Sequence, residues 1–335
     1  SRPLLRMLGA SPQVEALGWE MLRFDLLGQP LICIHWVSNA IFRARGNTRT
    51  PMITAGVVCL LVILFNFAFC VWPFQVGIAG LGMSWPLASI VGVVMTIYLQ
   101  KKSDIGRFLD WKGPGISRDW FVRIMKIGIP ACVQDLAWVG GNFLLLFILA
   151  RCQEPTAAEA AWAIGLRLEE NICGMPVFAL ATAVGTIVGQ NLGAKQPERA
   201  ERAGWLVAGV GAAYNLFLGL GLYFGADALA HFMSADVSVV KYTREYLQVL
   251  GLAQPFVALW LILSGAMQGA GYTRAPMIAT IIFLVFFRLP LAWLLTINAG
   301  QGPLGTWLSL SISGVLVALV ICWQYKSGAW KNQSV

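Results

Sequence analysis

Long apolar runs separated by short polar stretches set the pattern of the chain. Nine runs, at about 14–42, 51–72, 76–100, 121–150, 160–190, 203–224, 239–268, 275–298 and 303–325, have the length a helix needs to cross a hydrocarbon core. Runs of this length exclude membrane strands. The glycines and prolines inside them are tolerated, because neighbouring helices re-satisfy the backbone groups they free. The pattern predicts an all-α integral membrane protein with nine transmembrane helices.

The charges between the runs sort by sign. Arg43, Arg45 and Arg49 follow the first run, and Lys101, Lys102, Arg107, Lys112 and Arg118 follow the third. Lys195, Arg199 and Arg202 follow the fifth, Arg274 separates the seventh from the eighth, and Lys326 and Lys331 follow the ninth. The alternate connections 71–77 and 298–302 are uncharged, and 151–160 sets Arg151 against Glu154 and Glu159. By the positive-inside rule the basic set is cytoplasmic. The expectation is a multi-pass protein of the cytoplasmic (inner) membrane with its C-terminus inside and Ser1 outside.

The chain also contains a copy of itself. "RGNTRTPMI" (45–53) matches "AGYTRAPMI" (270–278), an offset of 270 − 45 = 225. The same ungapped offset pairs Gln29-Pro30 with Gln254-Pro255, Glu20 with Glu245, Gly77 with Gly302, Gly80 with Gly305, Ser84 with Ser309 and Lys101 with Lys326. The copies stand an even number of helices apart, which predicts parallel repeats. The second copy is preceded by three helices (121–224) that the first lacks. A parent of twelve helices is expected, with its first three absent here. The domains read as 1–102, three helices of an N-terminal lobe; 103–119, a cytoplasmic linker; and 120–328, a six-helix C-terminal lobe.

Composition agrees with lipid as the solvent: 58% of residues are hydrophobic and 12% charged, against about 45–50% and 25% in ordinary globular domains. The net charge of +8 is accounted for by topology, so no nucleic-acid partner is expected. Seven cysteines, an odd number without a C-x-x-C pair, exclude a disulfide framework or a zinc site as the reading. Neither a signal peptide nor a nucleophile, metal or phosphate motif is legible. The chain is read as a non-enzyme without a cofactor.

Three stretches carry a family resemblance: "GLRLEENICGMPVFALATAVGTIVGQNLGAKQPERA" (165–200), the pair "SGAMQGAGYTRAPMI" (264–278) and "SNAIFRARGNTRTPMI" (38–53), and "FFRLPLAWLL" (286–295). Together they resemble the multidrug and toxic compound extrusion (MATE) family. The resemblance implies two six-helix bundles related as parallel repeats, nine of twelve helices being present. It further implies antiport of sodium ions or protons against organic cations and other amphipathic compounds, in a monomer that contacts membrane lipid. The acidic position of the family's G-D-T motif is Asn47 in one copy and Tyr272 in the other. A flippase for lipid-linked oligosaccharide precursors and a non-transporting membrane fragment are the alternative readings.

Carboxylates inside a bilayer are costly, by about 2.5–3.5 kcal/mol on insertion scales, and are functional candidates for that reason. Asp135, Glu169 and Glu170 qualify as coupling-ion or proton sites, because such an acid binds a cation or carries a proton. Arg167 and Glu170 share a helix face and are expected to form a buried clasp, leaving Glu169 free on another face. Gln29, Gln254, Trp138, Trp162 and Asn142 are the candidates for a substrate cavity, the tryptophans through cation–π contact. His35 and Asn66 are expected to be polar glue between helices. Trp72, Trp111 and Trp330 read as belt or surface, and Thr48 and Thr273 as N-caps.

Overall fold

The computed structural model describes residues 12–72, 74–103 and 117–332. Among these the chain is helical and contains no strand. It divides into two compact units, Ser1–Gly115 and Ile116–Val335. The first holds α1 (Pro12–Ala44), α2 (Arg49–Cys70) and α3 (Ile78–Lys102). The second holds α4 (Arg118–Leu149), α5 (Pro155–Gly193), α6 (Pro197–Met233), α7 (Val237–Gly269), α8 (Arg274–Asn298) and α9 (Pro303–Lys326), then a short 3₁₀ turn, Ala329–Asn332.

Eight of these helices, all but α1, are long and apolar enough to cross a membrane. The ninth expected span lies in α1, whose N-terminal half carries Glu15, Glu20, Arg23 and Asp25, leaving an uncharged run only over 26–42. This is a multi-pass membrane protein. Its exposed leucines, phenylalanines and valines, such as Phe217, Phe224 and Val94, are what a lipid-facing surface requires. The fourth helix begins at Arg118, ahead of the expected 121, so the end of the expected linker is helical. Most of that linker, with Trp111, lies outside the described residues.

The sequence repeat returns as backbone geometry. α1 and α7 start and end at positions 225 apart, and so do the starts of α2 and α8 and of α3 and α9. At the turn after each first repeat helix a glycine takes positive φ, Gly46 at 80° and Gly271 at 77°. Gly46 N–H donates to Arg43 O (2.8 Å) and Asn47 N–H to Phe42 O (3.0 Å); Gly271 and Tyr272 repeat this onto Gln268 O (2.9 Å) and Met267 O (2.9 Å). Such a cap satisfies helix-end carbonyls with a residue that has no Cβ to strain. Gly271→Ala therefore puts a Cβ into the left-handed region at about 1–2 kcal/mol. It is expected to lower the thermal midpoint of the purified protein, while Gly193→Ala, in open space within a helix, does not.

Thr48 and Thr273 occupy the N-cap positions, but neither side chain caps. Both residues sit in the right-handed helical region (φ −93° and −99°), whereas a capping side chain needs an extended backbone to reach the first-turn N–H groups. In the first copy Asn47 takes over: its Oδ1 accepts from Thr50 N–H at 3.1 Å.

In the first unit α1 and α2 both pack on α3, with Val58, Val62 and Ala88 at the centre. His35 of α1 is buried and bonds Asn39 (3.1 Å), whose Oδ1 accepts from Thr54 of α2 (2.9 Å). In the second unit α7 and α9 are the most enclosed helices, and α7 is bordered by α5, α6 and α9. Small residues bring backbones together there. Gly185 and Ala181 of α5 face Gly265 and Gly269 of α7, and Gly219 of α6 faces Gly251.

Trp330 is not a surface residue. It is fully buried, stacked on Tyr325 (ring centroids 4.7 Å apart, 13° between planes), and its Nε1–H donates to Tyr325 O at 2.8 Å. Tyr325 OH donates to Ala200 O at 3.2 Å and Lys331 Nζ pairs with Glu201 Oε2 at 2.5 Å. The post-helix turn thus folds back on the start of α6. A terminal position in sequence was the wrong guide, because the positive φ of Gly328 (73°) reverses the chain.

Candidate functional site

The second unit buries a polar network among its apolar helices, and Glu169 lies at its centre. Glu169 is the last residue of an α-helical stretch and is followed by a π-helical turn, Glu170–Gly174. Pro176 lacks the N–H that would close an α turn onto Ile172, which is a local reason for the widened backbone. Such turns recur at functional sites. They offset the faces of a helix above and below them.

Both carboxylate oxygens of Glu169 are engaged from α7. Tyr246 OH donates to Oε2 at 2.5 Å, and Gln254 Nε2–H donates to Oε1 at 2.9 Å. Gln254 is buried and is held from α6 by Asn215, whose Nδ2–H donates to Gln254 O at 3.2 Å and more loosely to Oε1 at 3.4 Å. Tyr246 is fixed by packing. It meets Trp307 edge-on (5.0 Å, 79°) and Trp162 edge-on (5.9 Å, 81°), while the two tryptophans stack in parallel (5.8 Å, 4°). Gly165 leaves room for the tyrosine ring; any Cβ there meets it.

A cation completes the network. Arg288 of α8 is buried, 4% exposed, and within electrostatic range of Glu169 and Tyr246. Its Nε–H donates to Ser313 Oγ of α9 at 2.7 Å and its Nη1–H to Asn142 Oδ1 of α4 at 3.1 Å. It follows directly on a second π-helical turn, Ile282–Phe287. Six helices thereby meet through one set of hydrogen bonds and charges, which is how a charge inside a membrane protein is tolerated.

Of the sequence candidates, Glu169, Gln254, Trp162 and Asn142 come together here. Trp138 packs instead against the other core cluster of the unit. Asp135 is exposed, beside the buried Gln134, which accepts from Gln268 at 3.3 Å. Gln29, the repeat partner of Gln254, is exposed in the first unit; the partners of Gln254 stand on α5 and α6, helices outside the repeated segments. Glu170 is half-buried, with its carboxylate 3.9 Å from Arg167, but the Arg167 side chain is 81% exposed. The pair is not a buried clasp. The i, i+3 spacing brought the two together without saying which way the shared face points. Arg288, Tyr246 and Asn215 were missed. Arg288 carried a legible signal, as the one charged residue between Arg274 and Lys326.

The MatE family profile matches residues 1–68 and 130–294. The chain belongs to the MatE family. It is 26% identical over 331 residues to a probable multidrug resistance protein NorM of Thermotoga maritima, with 96% of this chain and 69% of that protein covered. It is 26% identical over 325 residues to a protein of Shewanella oneidensis named FAD transporter, with 95% and 68% covered. Among solved structures it superposes on a mutant of the Vibrio cholerae MATE transporter VcmN with a TM-score of 0.87 at 20% identity, covering 99% of this chain and 75% of that one. The fold is that of MATE transporters, and a MatE protein is a transporter rather than an enzyme.

Proposed function

We propose that the chain is a secondary active transporter that exchanges sodium ions or protons for organic cations and other amphipathic compounds. The observation that carries this is Glu169, a carboxylate deep in a membrane helix whose two oxygens are held by Tyr246 and Gln254. A group of this kind changes charge or counter-ion during a cycle, and its hydrogen bonds carry the change from α5 to α7. Asp135 and Glu170 are the further coupling candidates of the same unit. Gln29, Gln254, Trp138, Trp162 and Asn142 remain the proposed cavity residues.

Family names support the cargo class. Relatives are called multidrug resistance proteins, and one is named for FAD, a large amphipathic compound. Arg288 does not favour a cationic pocket for lipid pyrophosphate, because Glu169 lies within electrostatic range of it. The proposal places the protein in the cytoplasmic membrane as a monomer, with Lys331 on the cytoplasmic side.

The test is flux in proteoliposomes. An inward-directed proton or sodium gradient is expected to accelerate expulsion of a fluorescent organic cation such as ethidium. Cargo movement indifferent to both gradients sinks the reading. The topology is checked separately by labelling a single cysteine placed at Ser327 from either side of sealed vesicles.

A further inference from the structure

Inside the first unit one imidazole is enclosed by three helices. His35 of α1 is buried, and its Nε2 meets the amide Nδ2 of Asn39 at 3.1 Å. Asn39 Oδ1 accepts from Thr54 Oγ1 of α2 at 2.9 Å, and the same hydroxyl reaches Pro51 O at 3.1 Å. The second ring nitrogen, Nδ1, faces the backbone of Gly92 of α3 without a hydrogen bond of standard geometry. Gly92 leaves the room for the ring: a Cβ there would stand 2.8 Å from Nδ1. Around the imidazole and its amide are Thr54 and Val58 of α2 and Gly92 and Thr96 of α3, none of them charged. The charged residues of α1 on either side, Arg43 and Asp25, stand eight and ten positions away along the helix.

The fold does not require a titratable group here. At the 225-residue offset His35 becomes Trp260, Thr54 becomes Ala279, Gly92 becomes Val317 and Thr96 becomes Ile321. Those four sit together in one buried apolar cluster of the second unit. Asn39 becomes Ser264, whose hydroxyl has no partner. The same three-helix frame is thus packed with apolar side chains in one copy, and with a histidine, an amide and two hydroxyls in the other. Histidine is the side chain that ordinarily titrates near neutrality. A neutral imidazole accepts at one nitrogen and donates at the other. The amide donor at Nε2 therefore sets the ring proton on Nδ1 and leaves Nε2 with the lone pair that can take up a further proton.

We propose that His35 is a proton-binding site of the first unit, in which uptake of a proton reverses the chain of hydrogen bonds from α1 to α2. The proton forms an N–H bond with the Nε2 lone pair and yields the imidazolium. Nε2 then has to donate, so the Asn39 amide turns over: its Oδ1 accepts from His35 and its Nδ2–H donates to Thr54 Oγ1. The Thr54 hydroxyl keeps its own proton and directs it to Pro51 O, which it already reaches. Nδ1–H stays turned to the Gly92 carbonyl, which accepts from Thr96 at 2.8 Å and has a second lone pair. No hydrogen bond is lost, and the amide nitrogen and oxygen only exchange places. Release of the proton runs the chain backwards. The site is separate from the reading of Glu169, and failure of either leaves the other standing.

The experiment is ¹⁵N NMR of the purified full chain in nanodiscs, labelled at histidine. The sequence has two histidines, His35 and His231; His35→Gln assigns the signals, and the exposed His231 is the internal reference. At about pH 9 His35 is expected as the Nδ1–H tautomer, and acidification towards about pH 4 is expected to convert it to the imidazolium, with both nitrogens protonated. Asn39→Leu removes the amide that turns over and is expected to lower the midpoint by at least about one pH unit. Asn39→Asp sets a carboxylate in the same place and is expected to raise it by at least about one unit. Thr54→Val keeps the shape without the hydroxyl and is expected to lower the midpoint by less than Asn39→Leu does. A His35 that stays neutral over the whole range in which the protein melts cooperatively overturns the proposal, and so does an Nε2–H tautomer at high pH. A midpoint unmoved in Asn39→Leu overturns the reversal, and one unmoved in Thr54→Val overturns its extension to α2. If Asn39→Leu fails to fold, Asn39→Asp carries the test of the reversal, and an unmoved midpoint there overturns it.

Discussion

Glu169→Gln is expected to uncouple cargo movement from the ion gradient in proteoliposomes, leaving slow downhill flux that no longer depends on pH. The side chain keeps its shape, and its amide still accepts from one neighbour and donates to the other, so Tyr246 and Gln254 retain partners. What disappears is the negative charge opposite Arg288. Breaking a direct buried ion pair costs about 3–5 kcal/mol; Glu169 and Arg288 interact without a direct contact, and Ser313 and Asn142 hold the guanidinium, so the loss here is expected to be smaller. The single variant is therefore expected to melt earlier than wild type, and Glu169→Gln with Arg288→Met to recover stability without recovering coupling. The double-mutant cycle separates the two roles. A Glu169→Gln protein whose flux keeps the full ion dependence would falsify the assignment and move coupling to Asp135 or Glu170.

The fold was legible because its signals are local. Run length marked the helices, and the 225-residue offset reappears in helix starts, in the positive φ of Gly46 and Gly271, and in the turn hydrogen bonds. The site was less so. Glu169 stood out as a carboxylate in an apolar run, but its two hydrogen-bond partners stand on α7, with Asn215 behind Gln254 on α6 and Arg288 on α8, and only packing brings them together. Tyr246 reads as one more aromatic in a membrane helix. Arg288 was weighed only as part of a motif, although the cost of an intramembrane charge applies to a basic residue as much as to an acid. The error over Arg167 has a related source: spacing fixes which residues share a helix face, while the π-helical turn after Glu169 alters which face that is further along.

Gly269→Ala is expected to lower stability by about 3 kcal/mol, near the top of the usual range for over-packing, and to disturb the site from a distance. The α5–α7 contact is backbone against backbone. A Cβ on Gly269 collides with the backbone of Gly185, one on Gly265 would come 2.6 Å from Ala181 O, and one on Gly185 2.9 Å from Gly265 O. Backbone atoms cannot swing aside as a long side chain can, so relief has to come from separating the helices. α5 carries Glu169, while α7 carries Tyr246 and Gln254. Separation therefore stretches the two bonds that define the carboxylate, and the dependence of cargo flux on the ion gradient should weaken along with the melting temperature. Gly209→Ala is the control. It lies in a helix with nothing within 4 Å of its added Cβ, and replacing a helical glycine there is expected to stabilise by about 0.5–1 kcal/mol through the conformational freedom removed. Opposite signs for one and the same chemical change, a single methyl group, attribute the loss to the α5–α7 contact. If Gly269→Ala melts no earlier than Gly209→Ala, the close approach of the two helices is not what holds Glu169 against Tyr246.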